Sequence, residues 1–216
     1  MPVYLGNSII AMKHIFTLLF ILITFSAGIA QETNPLTEQE EIISKLTGHS
    51  SIGEDITLKD RYSQEARMIS AEYLERKLDI FCDEVQIENY SQTGNNVVGS
   101  ILATTETDQW IVIGAHYDSV KDCPGANDNA TGVALAYSVA KHIASLETRN
   151  YNLKIVFFDE EERGLIGSKA YAKQLLDDKV NVVSVHTIDQ LGWDEDGDRG
   201  IELEVPTDQI RDQYSK

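Results

Sequence analysis

The stretch WIVIGAHYD, residues 110–118, decides the fold: an unbroken apolar run from Trp110 to Ala115 leads straight into His116, Tyr117 and Asp118. An apolar run of this kind marks a strand buried on both faces of a sheet. Two further stretches repeat the arrangement. LKIVFF (153–158) leads into Asp159, Glu160, Glu161 and Glu162, and VNVVSVHTI (180–188) leads into Asp189. Between them the sequence predicts helices over Thr131–Leu146, opened by a Gly- and Asn-rich turn, and over Leu165–Leu176. Strands alternating with helices specify an α/β sheet covered on both faces.

Upstream of this pattern, Ala66, Ile69, Tyr73, Leu74, Leu78 and Phe81 recur at helical spacing and predict a long amphipathic helix within residues 62–81. Val85–Ile87 and Asn96–Ala103 read as strands, and Thr37–Leu46 as a short helix that Thr37 caps, with Glu40 completing a capping box. Downstream, Ile201–Val205 reads as a last strand before Pro206, and TDQIRDQYSK (207–216) as the unfinished start of a helix. Residues 12–30 have a basic start at Lys13, an apolar run from Ile15 to Phe25, and small residues at Gly28 and Ala30. They read as a secretory signal peptide cleaved before Gln31, with Met12 as the true start, because the run falls short of the ~20 residues a spanning helix needs. The expected organisation is therefore a signal at 1–30, an N-terminal extension at 31–61 and one α/β domain over 62–216.

Composition narrows the functions. The 216 residues carry 18 Lys and Arg against 35 Asp and Glu, a net charge of −17, so nucleic acid is excluded as a partner: the surface would repel the phosphate backbone. With 42% hydrophobic and 25% charged residues the chain can bury one core, which argues against disorder. Cys82 and Cys123 are too few for a disulfide framework, and a single bridge between them stays open.

In an open α/β sheet, ligands gather at the carboxyl ends of the strands, where this chain places His116, Asp118, the acidic run 159–162 and Asp189. The turn Gly125–Asn129 adds Asp128. One imidazole with several carboxylates suits zinc or a similar divalent ion, and the surplus of carboxylates can hold two ions that share an oxygen ligand. Glu161 and Glu162 are neighbours whose side chains diverge on a loop, so one can bind metal while the other acts as general base. Alone, the acidic run is an ordinary solvated loop and His116 a satisfied core histidine. Their joint appearance at successive strand ends points to chemistry.

Four motifs, in order, resemble the M28 family of zinc aminopeptidases. They are His116-Tyr117-Asp118-Ser119, the stretch Pro124–Gly132 (PGANDNATG), the stretch Phe157–Ser168 (FFDEEERGLIGS) and Ile188-Asp189-Gln190-Leu191-Gly192. The likeness covers about residues 62–205, including the Asn95–Gly99 strand. It implies a three-layer α/β/α fold with a mostly parallel mixed central sheet, of the zinc-exopeptidase type, whose last part is missing here. By motif, His116 resembles the imidazole ligand of one zinc, Asp128 the carboxylate bridging two, Asp189 a further ligand of the His116 metal, and Glu162 a ligand of the other ion. Glu161 is the implied general base, and Asp118 the carboxylate that orients His116. The implied partners are peptides or proteins with a free N-terminus, and the implied location is secreted or periplasmic, with no stable membrane span after signal cleavage.

The family closes its second metal site with a later histidine, and none follows His186. His186 lies about 10 Å before Asp189 along an extended chain and is not accepted as a substitute. His49 and His142 read as surface residues. A truncated copy of the family domain is the favoured reading, a one-metal or inactive relative the competing one, and a glutaminyl-peptide cyclase on the same fold a third. Asp194, Asp196 and Asp198 make an incomplete calcium loop, and the sequons at Asn89 and Asn129 are chance matches.

Overall fold

The computed structural model describes residues 34–193, together with 195, 197 and 200. The signal-like segment, the strand expected at 201–205, the helix start after it and most of the calcium-like loop lie outside the described residues. The helices and strands belong to the compact unit that begins at Pro35.

Helix α1, Pro35–Leu46, starts two residues earlier than expected. Proline has its φ preset for the first turn of a helix and lacks a donor that would go unpaired there, so Pro35 opens the helix. Thr37 thus lies inside α1, and the expected capping box is not its start. Helix α2, Gln64–Leu78, is capped by Ser63, whose hydroxyl accepts from the Ala66 N–H at 3.1 Å. It buries Ala71, Tyr73, Leu74 and Leu78, as its spacing requires.

Five strands follow: β1 (Glu84–Asn89), β2 (Asn95–Ile101), β3 (Gln109–His116), β4 (Asn152–Phe158) and β5 (Asn181–Thr187). Helix α3, Thr131–Ser145, links β3 to β4, and helix α4, Ile166–Asp177, links β4 to β5. The sheet order is β1-β2-β4-β3-β5. It is mixed: β1, β2 and β4 pair antiparallel, and β4, β3 and β5 pair parallel.

From β3 the chain crosses to β4 on one side, then returns past β3 to β5 on the other. Right-handed crossovers in opposite directions put their helices on opposite faces of a sheet. The packing agrees. Residues of α1, α2 and α3 (Ile42, Leu46, Leu74, Leu78, Val133, Tyr137) share one core cluster with Val97, Ile113, Ile155 and Phe157. On the other face Tyr171 of α4 packs with Val98, Val112, Val156 and Phe158. The expected three-layer α/β architecture is what the structure shows. Of the expected N-terminal extension, Pro35–Leu46 contributes α1 to this unit, with Ile42 and Leu46 wholly buried in its core.

The strand at 180–188 departs from expectation in one respect. It is read as buried, yet β5 is an edge of the five-stranded sheet among the described residues, with Val183 and Val185 exposed. An apolar run records β propensity, and neighbours decide whether both faces are covered. Among the described residues no helix is long and apolar enough to cross a membrane.

Candidate metal and catalytic site

The central position of β3 brings the site together. Its last residue, His116, pairs in register with Phe158 at the end of β4, while Gly114 pairs with Thr187 at the end of β5. The loops after β4 and β5 therefore leave the sheet on either side of His116.

The turn Ala126–Ala130 carries Asp128, which, with Asn129, departs from helical backbone angles. This turn is stitched to the segment after β5. Asn129 is fully buried: its Nδ2 donates to the Ile188 carbonyl at 2.8 Å, and its Oδ1 accepts from the Gly132 N–H at 3.0 Å and the Gln190 N–H at 3.3 Å. Asn127 Oδ1 accepts from the Gly192 N–H at 2.6 Å, and Thr131 Oγ1 from the Leu191 N–H at 3.2 Å. Gly132 is required here, since a Cβ would lie 2.2 Å from Asn129 Oδ1 and 2.7 Å from the Ile188 carbonyl oxygen. These contacts deliver Asp189 to the side of His116 where Asp128 stands. His116 Nε2 is 3.0 Å from Asp128 Oδ1 and 3.6 Å from Asp189 Oδ1.

The acidic run after β4 divides by direction. Asp159 and Glu160 turn inward. Asp159 Oδ1 lies 2.7 Å from Arg67 Nε, and Glu160 Oε1 lies 3.0 Å from the same guanidinium and 2.9 Å from Arg163. All of Arg67, Asp159 and Glu160 are buried. Glu161 and Glu162 face the site, where ligand atoms of His116, Glu161 and Glu162 fall within 4.8 Å of one another, as do those of His116, Asp128 and Asp189. Asp118 joins the parts. Its Oδ1 lies 3.4 Å from His116 Nδ1 and accepts from the Glu161 N–H at 3.0 Å, and its Oδ2 accepts from the Glu162 N–H at 3.2 Å.

Charge is unbalanced in this cluster. Burial, with added repulsion from neighbouring acids, holds the carboxyls of Glu161, Glu162 and Asp189 above their ordinary range, although His116 opposes the shift. Burial works against the imidazolium of His116, but Asp118, Asp189 and Glu161 outweigh it and raise its pKa to about 9. Such a set is relieved by a cation. The fit to zinc is also geometric: both ring nitrogens of His116 are buried, and each faces a carboxylate oxygen without a well-formed hydrogen bond. Ligand atoms at about 2.1 Å from a tetrahedral zinc stand about 3.4 Å apart, and the separations of His116 Nε2 from the two carboxylate oxygens, 3.0 and 3.6 Å, bracket that value. The residues fit the ion. Asp128 Oδ2, the oxygen that a shared ligand would offer a second ion, accepts from Gln190 Nε2 at 3.1 Å.

All six residues singled out by sequence, namely His116, Asp118, Asp128, Glu161, Glu162 and Asp189, thus stand in one cluster. The other histidines among the described residues do not: His186 pairs with Ser184 on β5 at 2.7 Å, and His49 and His142 are exposed. Sequence reasoning missed the stitching by Asn127, Asn129 and Thr131, the inward ion pairs of Asp159 and Glu160, and the contact of Gln190. Only the density of Asn in the turn hinted at the first of these. Cys82 and Cys123 are both free thiols.

The fold and this cluster define the class: an α/β protein with a metal-ligand set at adjacent strand ends. Residues 96–205 match Peptidase family M28, and the chain belongs to that family. It is similar to a probable zinc metalloprotease of Pyricularia oryzae, with 38% identity over 108 residues, 45% of this chain and 21% of that protein. It also resembles aminopeptidase YwaD of Bacillus subtilis, with 32% identity over 104 residues, 47% of this chain and 23% of that one. The structure of LapB from Legionella pneumophila superposes with a TM-score of 0.66 at 22% identity, covering 78% of this chain and 46% of LapB, a likeness of fold. The matched stretches thus span about a fifth to a quarter of these curated relatives.

Proposed function

We propose that this chain carries the zinc-binding and proton-transfer residues of an aminopeptidase, which removes N-terminal residues from peptides. One observation carries the reading: His116 Nε2 faces carboxylate oxygens of Asp128 and Asp189, and a ring nitrogen of His116 lies within 4.8 Å of carboxylate oxygens of Glu161 and Glu162. His116, Asp128 and Asp189 would hold one ion, and Glu162, with Asp128 shared, a second.

When bound, zinc supplies Lewis acidity, polarising a carbonyl and making water acidic near neutral pH. Glu161 accepts the proton of the attacking water and hands it to the leaving amine nitrogen. A carboxylate placed there can take up a proton and give it back within one turnover. Asp118 holds the Glu161 and Glu162 backbone beside His116, so base and ligands keep one spacing. The surplus of carboxylates offers an electrostatic partner to a free α-ammonium group, which favours substrates with an open N-terminus. Export follows from the signal-like residues 12–30, and sequencing of the native N-terminus should then begin at Gln31.

The zinc-loaded protein should release N-terminal residues from free but not N-acetylated peptides, a chelator should stop the release, and Glu161→Gln should lower it by about 10²–10⁴-fold. Undiminished release by Glu161→Gln would overturn the assignment. Loss of ammonia from a glutaminyl peptide, with its length unchanged, would move the reading to the cyclase.

A further inference from the structure

The loop from Tyr117 to Gly125 joins the end of β3, which bears His116, to the turn that bears Asp128, and Arg61 lies beneath it wholly buried. Its guanidinium is spent on carbonyl oxygens. Nε donates to Tyr117, Nη1 to Pro124 and, at 2.7 Å, to Leu46, and Nη2 donates to Gly125 at 2.9 Å. The backbone of Arg61 adds two bonds, its N–H donating to Ser119 Oγ at 2.9 Å and its carbonyl accepting from the Ser119 N–H at 3.4 Å. Among the described residues no carboxylate lies at ion-pair distance from Arg61. Burial lowers its pKa to about 10, against the field of Asp118, Cys123, Asp128 and Asp60.

Burying an unpaired charge is costly, and an arginine kept there must do what a neutral group cannot. The planar fork of five donors reaches both ends of one loop at once, whereas a lysine offers a single point. The ends it holds are the residue after His116 and the glycine three before Asp128. Gly125 has φ +62°, and a Cβ there would lie 2.6 Å from Arg61 Nη2 and 2.5 Å from the Asp128 carbonyl oxygen, so guanidinium and turn are in van der Waals register.

We propose that Arg61 is a positioning residue of the zinc site: by clamping Tyr117 and Gly125 it sets the spacing between His116 and Asp128, and with it zinc affinity. This inference rests on the zinc reading of the site. Zinc affinity, read by competition with a chromogenic chelator, is compared in wild type, Arg61→Lys, Arg61→Ala and Leu78→Ala, beside the melting temperature of each zinc-free protein. Leu78 lies in the core of α2 and controls for plain destabilisation. Arg61→Lys should bind zinc about 10–100-fold more weakly, while Leu78→Ala melts earlier and keeps wild-type affinity. Low millimolar guanidinium should restore affinity to Arg61→Ala and do nothing for Leu78→Ala.

Wild-type affinity in Arg61→Lys would overturn the proposal, as would an equal loss in Leu78→Ala or a folded Arg61→Ala that guanidinium does not rescue. If Arg61→Ala does not fold, the comparison of Arg61→Lys with Leu78→Ala decides. Failure of the wild type to bind zinc, or retention of binding in His116→Ala, would instead remove the zinc reading itself.

Discussion

Asp118 shows how much one side chain settles in this site. Its two oxygens accept the N–H groups of Glu161 and Glu162, and one also faces His116 Nδ1, so a single carboxylate ties the end of β3 to the loop after β4. The motif His116-Tyr117-Asp118 made its place beside the histidine readable in advance. Its hold on the other loop was not, because backbone acceptors and donors leave no mark in residue identity. The cysteines give a test at the same scale. Burial, reinforced by Asp83 and Asp79, pushes the Cys82 thiol up to about 12, while Cys123 is exposed. Iodoacetamide at pH 8 should modify Cys123 first and reach Cys82 only in denaturant. An unfolded Cys82 ionises near 9, before the folded one, so this group's contribution to stability is full below that pH and is lost between 9 and 12. Cys82→Ala should flatten that part of the stability curve, and equal labelling of both thiols in the native protein would contradict the assignment.

At the scale of the element, the turn after β4 separates two uses of one acidic run. Asp159 and Glu160 are buried against Arg67 of α2, with Asp159 also accepting the Asn95 N–H at 3.1 Å, and this anchors the turn from which Glu161 and Glu162 project. Burial raises the Asp159 pKa against the pull of Arg67, so the pair is held by geometry in a place unfavourable to charge. Arg67→Met should therefore cost about 3–5 kcal/mol in urea denaturation, since it leaves buried carboxylates uncompensated. Adding Asp159→Asn and Glu160→Gln should recover most of the loss, and a cost under about 1 kcal/mol for Arg67→Met alone would contradict the anchor. Sequence periodicity found α2 but did not single out Arg67. Nothing in a helical pattern distinguishes an arginine in solvent from one that crosses a core to a loop 92 residues away.

At the scale of the molecule, the apolar runs at 110–115 and 153–158 predicted buried inner strands, and the parallel pairing of β3 with β4 and β5 is what places His116 between two loops. The run at 180–188 predicted a strand correctly but not its edge position, which depends on neighbours that a single segment does not encode. The start of α1 was misread because Pro35 opens the helix ahead of the cap-like Thr37. The clustered residues were legible since strand ends and metal-competent residues coincide in sequence. Arg61 was not, since four of its acceptors are carbonyls.

The central claim is that His116, Asp128 and Asp189 hold a zinc ion, and anomalous diffraction at the zinc edge from crystals of the zinc-loaded protein tests it most directly. The account predicts a peak about 2.0–2.2 Å from His116 Nε2 and from one carboxylate oxygen each of Asp128 and Asp189. A peak elsewhere, or none at saturating zinc, would contradict it.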